Sequence, residues 1–538
     1  MKNKAIIFAF ILFVLASLFY LPRNPLIYDD AALYALTAKN TIINNDWLAQ
    51  YITPGDKTSF IDKPPLGIWM IALPMKILGV SELTVHIPNI LYLFTLLGIM
   101  YLFLKKFSNK KVALYSILIA ATSLGFILFS RTPKLDIPLT LFTTTGILSL
   151  YAYLKQGKLW QFYLFGIMAA LGFLVKTGFG IIFPALTLLS IYLLSSVARN
   201  KLNKFVFSKH FIFLIIICTA LIGSIISLQY ISLQEQWIPY LKSITIQSKY
   251  NTSYLGFGFY YQIIGYILLA IFPWGAVCLP MLFKRINVGQ ALALHKISIR
   301  VFCLYWFWSG ILFLLFFYKQ NDLRTFVVFI PPLAILGGIR LAAFDYYSKR
   351  RLADILWNLF YMIVFTAIFI AMILKPVNQD GIKLNAVIEP LFWFVAFLYL
   401  LFIYLLRLNK KVFITSLFIL VMGYATLFYN TPRIAGAFNP NLKWLGIIQE
   451  HRKTATPLFI YRPQDRNLFY SPDLFWVDFM AGPADGYFWD SASLKYAVKD
   501  RFSLILSDTK SLEKLGITYE TFARDSYSSL VLTFGVVE

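Results

Sequence analysis

The sequence predicts a mainly α, polytopic membrane protein of about 13 transmembrane helices, with amphipathic helices in its first outer loop and a small C-terminal α/β domain. Three observations predict it. Of the 538 residues, 59% are hydrophobic and only 14% are charged, against about 25% charged in a typical soluble domain. The apolar residues gather into runs of about 20, the length that crosses a hydrocarbon core. Lys and Arg, which give a formal net charge of +24, fall in short segments between alternate runs, so the charge reports topology and no nucleic-acid partner is expected.

The runs lie near 5–21, 84–104, 112–130, 136–154, 160–175, 179–197, 210–231, 259–282, 300–317, 324–344, 355–374, 390–407 and 412–430. The first follows Met1-Lys2-Asn3-Lys4 and lacks a small-residue cleavage site, so it reads as a retained helix and not a removed signal. With the N-terminus inside, every second loop is cytoplasmic. Those loops carry Lys105/Lys106/Lys110/Lys111, Lys155/Lys158, Arg199/Lys201/Lys204/Lys209, Lys284/Arg285/Lys296/Arg300, Lys349/Arg350/Arg351 and Arg407/Lys410/Lys411, as the positive-inside rule requires. An odd helix count then puts the C-terminal tail outside. Cys218, Cys278 and Cys303 sit inside apolar runs and offer no disulfide framework.

The first outer loop, 22–83, opens with Tyr28-Asp29-Asp30 and ends near Asp62-Lys63-Pro64-Pro65-Leu66. Asp29 or Asp30 is placed to cap a helix whose Leu33, Leu36, Ile43 and Trp47 recur at helical spacing, giving an apolar stripe suited to a membrane surface. Pro64-Pro65 starts a second short helix running through Leu78 to Gly79. Lys63 therefore stands just before a helix N-terminus, where amides and a cation together suit an anion. Ionisable groups at a bilayer edge are functional candidates, because each costs a few kcal/mol unless it meets water, a partner or a ligand.

Other outer ends hold a thin set of polar residues: Arg131, Lys134 and Asp136; Lys176; Glu235, Gln236, Lys242 and Lys249; and the run Tyr318-Lys319-Gln320-Asn321-Asp322-Leu323-Arg324. After Asn430 the chain turns polar with Pro and Gly punctuation. This divides it into a membrane domain, 1–430, and an outer domain, 431–538. In the latter Phe502–Leu506 reads as a strand and Ser511–Leu515 as a helix.

Each candidate has a plain structural alternative. Asp29, Asp30 and Asp136 could cap helices, Lys63 could snorkel at the interface, and Lys319 and Arg324 could anchor a turn. Their coincidence on one membrane face points further. A lipid-phosphate substrate needs cations for its phosphate and carboxylates for its reacting partner. The scattered His86, His210, His295 and His451 make no metal cluster, and no Gly-rich phosphate loop follows a strand. An outer-face enzyme has no nucleotide-sugar supply, so an activated group would arrive on a lipid carrier. A transporter or flippase would keep its ionisable residues near the midplane of repeated halves, and neither feature is visible.

The acidic pair, the segment Asn45-Asp46-Trp47-Leu48 and the motif Asp62-Lys63-Pro64-Pro65-Leu66-Gly67-Ile68-Trp69 resemble the bacterial branch of the dolichyl-phosphate-mannose-protein mannosyltransferase superfamily, in particular the undecaprenyl-phosphate aminoarabinose transferases that modify lipid A. The resemblance continues through Arg131–Pro138, Gly172–Gly178, Phe272-Pro273-Trp274 and Lys319–Pro332. It implies a C-type glycosyltransferase fold, a polyprenyl-phosphate sugar donor and an active site under the first loop. By position, Asp29 matches the essential first-loop acid, Asp136 the second acid and Lys63 the lysine that holds the donor phosphate. Asp30, Lys319 and Arg324 are expected to help bind substrate.

The chain departs from that pattern in three places. Asp62 stands where the family has Glu, loop 232–258 lacks a His that some members use for a metal, and Phe326 replaces a Tyr. A divalent cation is therefore left open, with Asp62 as its candidate ligand. The expected reaction is an inverting transfer to lipid A or a related envelope glycolipid at the periplasmic side of the bacterial inner membrane. A protein acceptor is the alternative.

Overall fold

The computed structural model describes residues 30–50, 63–238, 257–283 apart from 273, 298–317 and 323–343. In the C-terminal region it describes 447–451 apart from 449, 456–461, 485–488, 491–499, 502–507, 519–524 and 529–533. The first expected helix, 5–21, the three between 355 and 430, the domain boundary near 430 and the Ser511–Leu515 helix all lie outside these residues.

What is described is mainly α, with one small sheet. Helix α1 spans Asp30–Ile43 and α2 spans Pro65–Leu78. Burial of α1 is deeper than that of a helix lying on a membrane surface: Ala31 through Ala38, Asn40 and Thr41 are all buried. Its alanines let neighbours approach from every side. Trp47 is not on this helix. Asn45 takes a left-handed φ of 48°, and Asp46 Oδ1 accepts from the backbone N–H groups of Leu48 (3.0 Å) and Ala49 (3.1 Å), an Asx turn that stops the helical path. Helix α2 begins with Pro65 at its first position and ends at Gly79, φ 86°, as the sequence predicts.

Helix α3, Glu82–Phe107, starts in a capping box: Ser81 Oγ accepts from Thr84 N at 3.2 Å and Thr84 Oγ1 accepts from Ser81 N at 3.0 Å. The expected single span 112–130 is two helices, α4 (Lys110–Ala121) and α5 (Leu124–Phe129). Between them the hydroxyls of Thr122 and Ser123 bond back to the Leu118 and Ile119 carbonyls, each at 2.6 Å, a contact that bends helices. The interruption is sealed from the side. Leu124 N donates to Phe272 O at 2.9 Å, and Trp274 Nε1 donates to Thr122 Oγ1 at 2.8 Å.

Helix α6 runs Asp136–Gln156 and closes on Gly157 at φ 72°. Helix α7, Leu159–Leu194, is two helical arms joined at a kink, where it folds back at Lys176 and Thr177, whose φ/ψ are not helical. Residues eight apart in a straight helix are separated by about 12 Å. Here a Cβ built on Gly180 would stand 1.9 Å from the Gly172 carbonyl carbon, so the two arms touch backbone to backbone and only glycine fits. The expected pair of spans, 160–175 and 179–197, is present as these arms.

Helix α8, Ser196–Val206, buries Ala198, Leu202 and Phe205 against the bundle. Its cations finish two other helices. Arg199 Nη2 donates to Leu193 O at 2.7 Å and Lys201 Nζ to Leu154 O at 2.7 Å, satisfying carbonyls that a helix end leaves bare. Helix α9, Lys209–Leu233, follows, then α10 (Phe257–Ala270), α11 (Gly275–Cys278), α12 (Pro280–Phe283) and α13 (Ile299–Phe317). The expected span 324–344 opens as a 3-10 segment, Leu323–Phe329, and continues as α14, Ile330–Ala343. Among the described residues five helices are long and apolar enough to cross a membrane, with α7 counted once. All three cysteines are free.

In the C-terminal region five strands form one sheet in the order β2-β1-β3-β5-β4: β1 Leu458–Tyr461, β2 Gly486–Phe488, β3 Ser503–Ser507, β4 Tyr519–Arg524 and β5 Ser529–Thr533. Strand β1 is parallel to β2 and β3, while β5 is antiparallel to β3 and β4. Helix α15, Ser491–Val498, lays Leu494 and Val498 on Phe459, Tyr461 and Ile505. An α/β unit is what the sequence predicts; the strand expected over Phe502–Leu506 lies one residue further on, at Ser503–Ser507.

Candidate active site

The site is built where α6 begins and α7 folds back. Two residues, Gly157 and Lys158, separate α6 from the first arm of α7, so that arm returns antiparallel and brings Lys176 level with Asp136. There Lys176 Nζ donates to Asp136 Oδ1 at 2.9 Å, across 40 residues of sequence. The pair is well removed from solvent, with side-chain exposures of 14% for Lys176 and 4% for Asp136. Lys176 Nζ also lies 5.6 Å from the Phe179 ring centre, a favourable place for a cation. Asp136 is not a cap: Leu135 is the N-cap residue of α6 and makes no capping bond.

A second ion pair joins the first loop to the 3-10 segment. Arg324 Nη1 donates to Asp30 Oδ2, and the Tyr34 hydroxyl, one turn along α1, donates to the same oxygen at 3.3 Å. Helix α1 packs on α2, and the 3-10 segment packs on α6. The turn at Asn45–Ala49 is held from two sides: Trp69 Nε1 donates to Trp47 O, Lys76 Nζ sits 5.2 Å over the Trp47 ring, and Gln229 Nε2 of α9 donates to Leu48 O at 3.1 Å. Lys63 is half-buried directly ahead of Pro64, the N-cap residue of α2. Four residues on, Gly67 lies against Leu135; a Cβ there would stand 2.8 Å from Leu135 Cδ2. The Lys63 and Asp136 segments are thus packed neighbours.

The turn between α5 and α6 adds two cations. Arg131 is 3% exposed and Lys134 7%, and Lys134 Nζ lies 5.4 Å over the Phe129 ring. Charges so deeply placed are expensive unless a partner or ligand is served. Asn89 of α3 holds this turn through its carbonyls.

Of the predicted residues, Asp30 and Arg324 are bonded to each other, and Lys63 and Asp136 stand on adjoining segments. Asp29, Asp62 and Lys319 lie outside the described residues. Among the described residues no group of three or more His, Cys, Asp or Glu side chains could hold a metal ion. Sequence reasoning noted Lys176, Arg131 and Lys134 as polar residues of the same face without assigning them to the site, and it passed over Asn89. The available signals were an ammonium isolated between two apolar runs at Val175-Lys176-Thr177 and an amide behind Pro88 in an apolar helix.

The described residues thus form a mainly helical, polytopic membrane fold that carries two carboxylate–cation pairs. The fold is similar to that of a solved bacterial membrane protein, ArnT. The crystal structure of ArnT from Cupriavidus metallidurans in the apo state matches with a TM-score of 0.75 at 14% identity, covering 98% of each chain. The structure of the same protein bound to undecaprenyl phosphate matches at 0.74 and 15% identity, covering 99% of this chain and 98% of that one. In sequence, residues 62–223 match the family of dolichyl-phosphate-mannose-protein mannosyltransferases. An uncharacterized protein of Aquifex aeolicus (strain VF5) is 31% identical over 176 residues, 32% of this chain and 34% of that protein. The undecaprenyl phosphate-alpha-4-amino-4-deoxy-L-arabinose arabinosyl transferase of Wigglesworthia glossinidia brevipalpis is 24% identical over 208 residues, 37% of this chain and 36% of that protein. The matched stretch thus spans about a third of the length of these curated relatives.

Proposed function

We propose that this protein is an inverting glycosyltransferase of the bacterial inner membrane, moving a sugar from a polyprenyl-phosphate donor to lipid A or a related envelope glycolipid. The observation that carries the reading is the charge arrangement at one end of the bundle. Lys176 and Arg324 pair with Asp136 and Asp30, and Arg131, Lys134 and Lys63 stand on the segments that lead into α6 and the helix packed on it, in a chain with the fold of ArnT. In this reading that end, the first loop and residues 431–538 face the periplasm, and 1–430 form the membrane domain.

The acceptor oxygen attacks the anomeric carbon, the bond from that carbon to the phosphate oxygen breaks, and the electron pair leaves with polyprenyl phosphate. Lys63, helped by Arg324 or Lys319, stabilises the charge gathering on that phosphate. Asp29 and Asp136 serve the reacting sugar and acceptor, and Asp30 aims Arg324. A hydroxyl acceptor needs Asp29 as general base. A phosphate acceptor, with a second pKa near 6, is already mostly deprotonated at neutral pH, so Asp29 then orients it. A protein acceptor is the second reading, favoured by the mannosyltransferase match over residues 62–223.

Mass spectrometry of envelope glycolipids and glycoproteins, from cells with and without the protein, tests this. A sugar-sized mass shift on a glycolipid that disappears with Lys63→Ala is expected. A shift on protein alone selects the second reading. No shift on either refutes both.

A further inference from the structure

Asn89 lies about two turns into α3, directly after Pro88, and is 0% exposed. Its amide nitrogen is within hydrogen-bonding distance of three carbonyl oxygens from one turn: Phe129 at 3.5 Å, Lys134 at 2.7 Å, and Thr132. All three neighbours are acceptors, which fixes which end of the amide faces them. The turn needs such a donor. Phe129 ends α5; its carbonyl also accepts from Thr132 Oγ1 at 3.4 Å and Thr132 O from Lys134 N at 2.7 Å, so the Asn89 amide adds the bond that ties this turn to α3, including one to Lys134 O, whose helical partner position is Pro138 and has no N–H.

One helical turn further along α3 the Tyr92 hydroxyl donates to Met70 O of α2 at 2.8 Å. The same face of α3 therefore ties down both the turn leading to Asp136 and the helix that follows Lys63. Between these two ties, Gly67 and Leu135 pack directly. Small errors in the turn would pass to Asp136, one residue beyond Leu135, and to its bond with Lys176.

We infer that Asn89 is a positioning residue for the proposed transfer: its amide sets the turn 129–135 and through it the aim of Asp136, without touching substrate. The inference rests on the proposed function only for where transfer occurs. The hydrogen bonds of Asn89 to carbonyls of other elements go to this one turn, so its loss should loosen the turn and leave the rest of the bundle intact.

Asn89→Leu keeps the size of the side chain, suits an apolar helix and removes the donor; Asn89→Ser keeps a donor. The first measurement is hydrogen exchange in the full chain, which needs no reaction. In Asn89→Leu the amides of Ser130, Arg131, Thr132, Lys134 and Leu135 should exchange faster while those of 140–150 keep the wild-type rate. The second is transfer kinetics per folded protein. Asn89→Leu should lower kcat on the order of 10²-fold, the scale of a misplacement of about 1 Å, with a much smaller change in donor KM. Asn89→Ser should recover part of it. In a Lys176→Met background Asn89→Leu should cost no further activity, since both act through Asp136.

Unchanged exchange over 130–135 overturns the inference, as does an equal loss of kcat in both backgrounds. If the wild-type chain transfers no sugar, the proposed function fails and the exchange result alone decides the role of Asn89.

Discussion

Replacing Lys176 by Met keeps the unbranched shape of the side chain, one atom shorter, and removes its charge, which makes it a direct probe of the buried pair. At the observed separation of 2.9 Å, two unit charges attract by about 6 kcal/mol at an effective dielectric constant near 20. Desolvation of both groups offsets most of that, so the pair as a whole adds little net stability. Removing one partner is different. Lys176→Met strands the Asp136 carboxylate, only 4% exposed, and should destabilise the protein by about 3–5 kcal/mol. Asp136→Asn should cost less, because the longer Lys176 can turn its ammonium towards water. The double variant, a neutral pair of similar size, should be more stable than Lys176→Met alone. None of the three should transfer sugar efficiently, since restoring stability does not restore the carboxylate. The assay is the thermal midpoint in detergent together with transfer of a labelled sugar. A Lys176→Met midpoint equal to wild type, or a double variant no more stable than that single one, would refute the reasoning.

Two further outcomes test the fold. Gly180→Ala would place a Cβ 1.9 Å from the Gly172 carbonyl carbon and 2.0 Å from Phe173 N; the arms of α7 must then part by about 1.5 Å or more to reach van der Waals contact, carrying Lys176 off Asp136, and transfer should fall on the order of 10²-fold. Wild-type transfer by Gly180→Ala would remove the close crossing from the argument. Single cysteines at the exposed positions Asn45 and Ser491, in a background without the native three, should both react with an impermeant thiol reagent in cells with only the outer membrane permeabilised. Protection of either until the inner membrane is broken would overturn the proposed orientation.

The membrane class and the places of the described long helices were legible because they depend on local composition. A run of about 20 apolar residues must cross or be buried, and Pro65 and Gly79 mark the ends of α2 through their own backbone conformations. The break at Thr122-Ser123 was not legible, since its stability comes from Trp274 and Phe272, about 150 residues away. Helix α1 reads as amphipathic from its leucines, yet what its alanines are packed against is a property of the assembled bundle. The sheet order was hidden because β1 and β3 are buried on both faces, so no alternation announces them.

For the site, the sequence by itself determined which candidate groups flank apolar runs: Asp30, Lys63, Arg131, Lys134, Asp136, Lys176 and Arg324. Only the tertiary structure decided the partners. Asp136 and Lys176 are 40 residues apart and Asp30 and Arg324 are 294 apart, and no local spacing encodes contacts that depend on how α7 folds back or on the 3-10 segment packing on α6. The physical reason is one of range. Hydropathy and capping act over a few residues, whereas an ion pair in a dry interior is fixed by the packing of distant helices, which alone sets the distance and the exposure on which its strength depends.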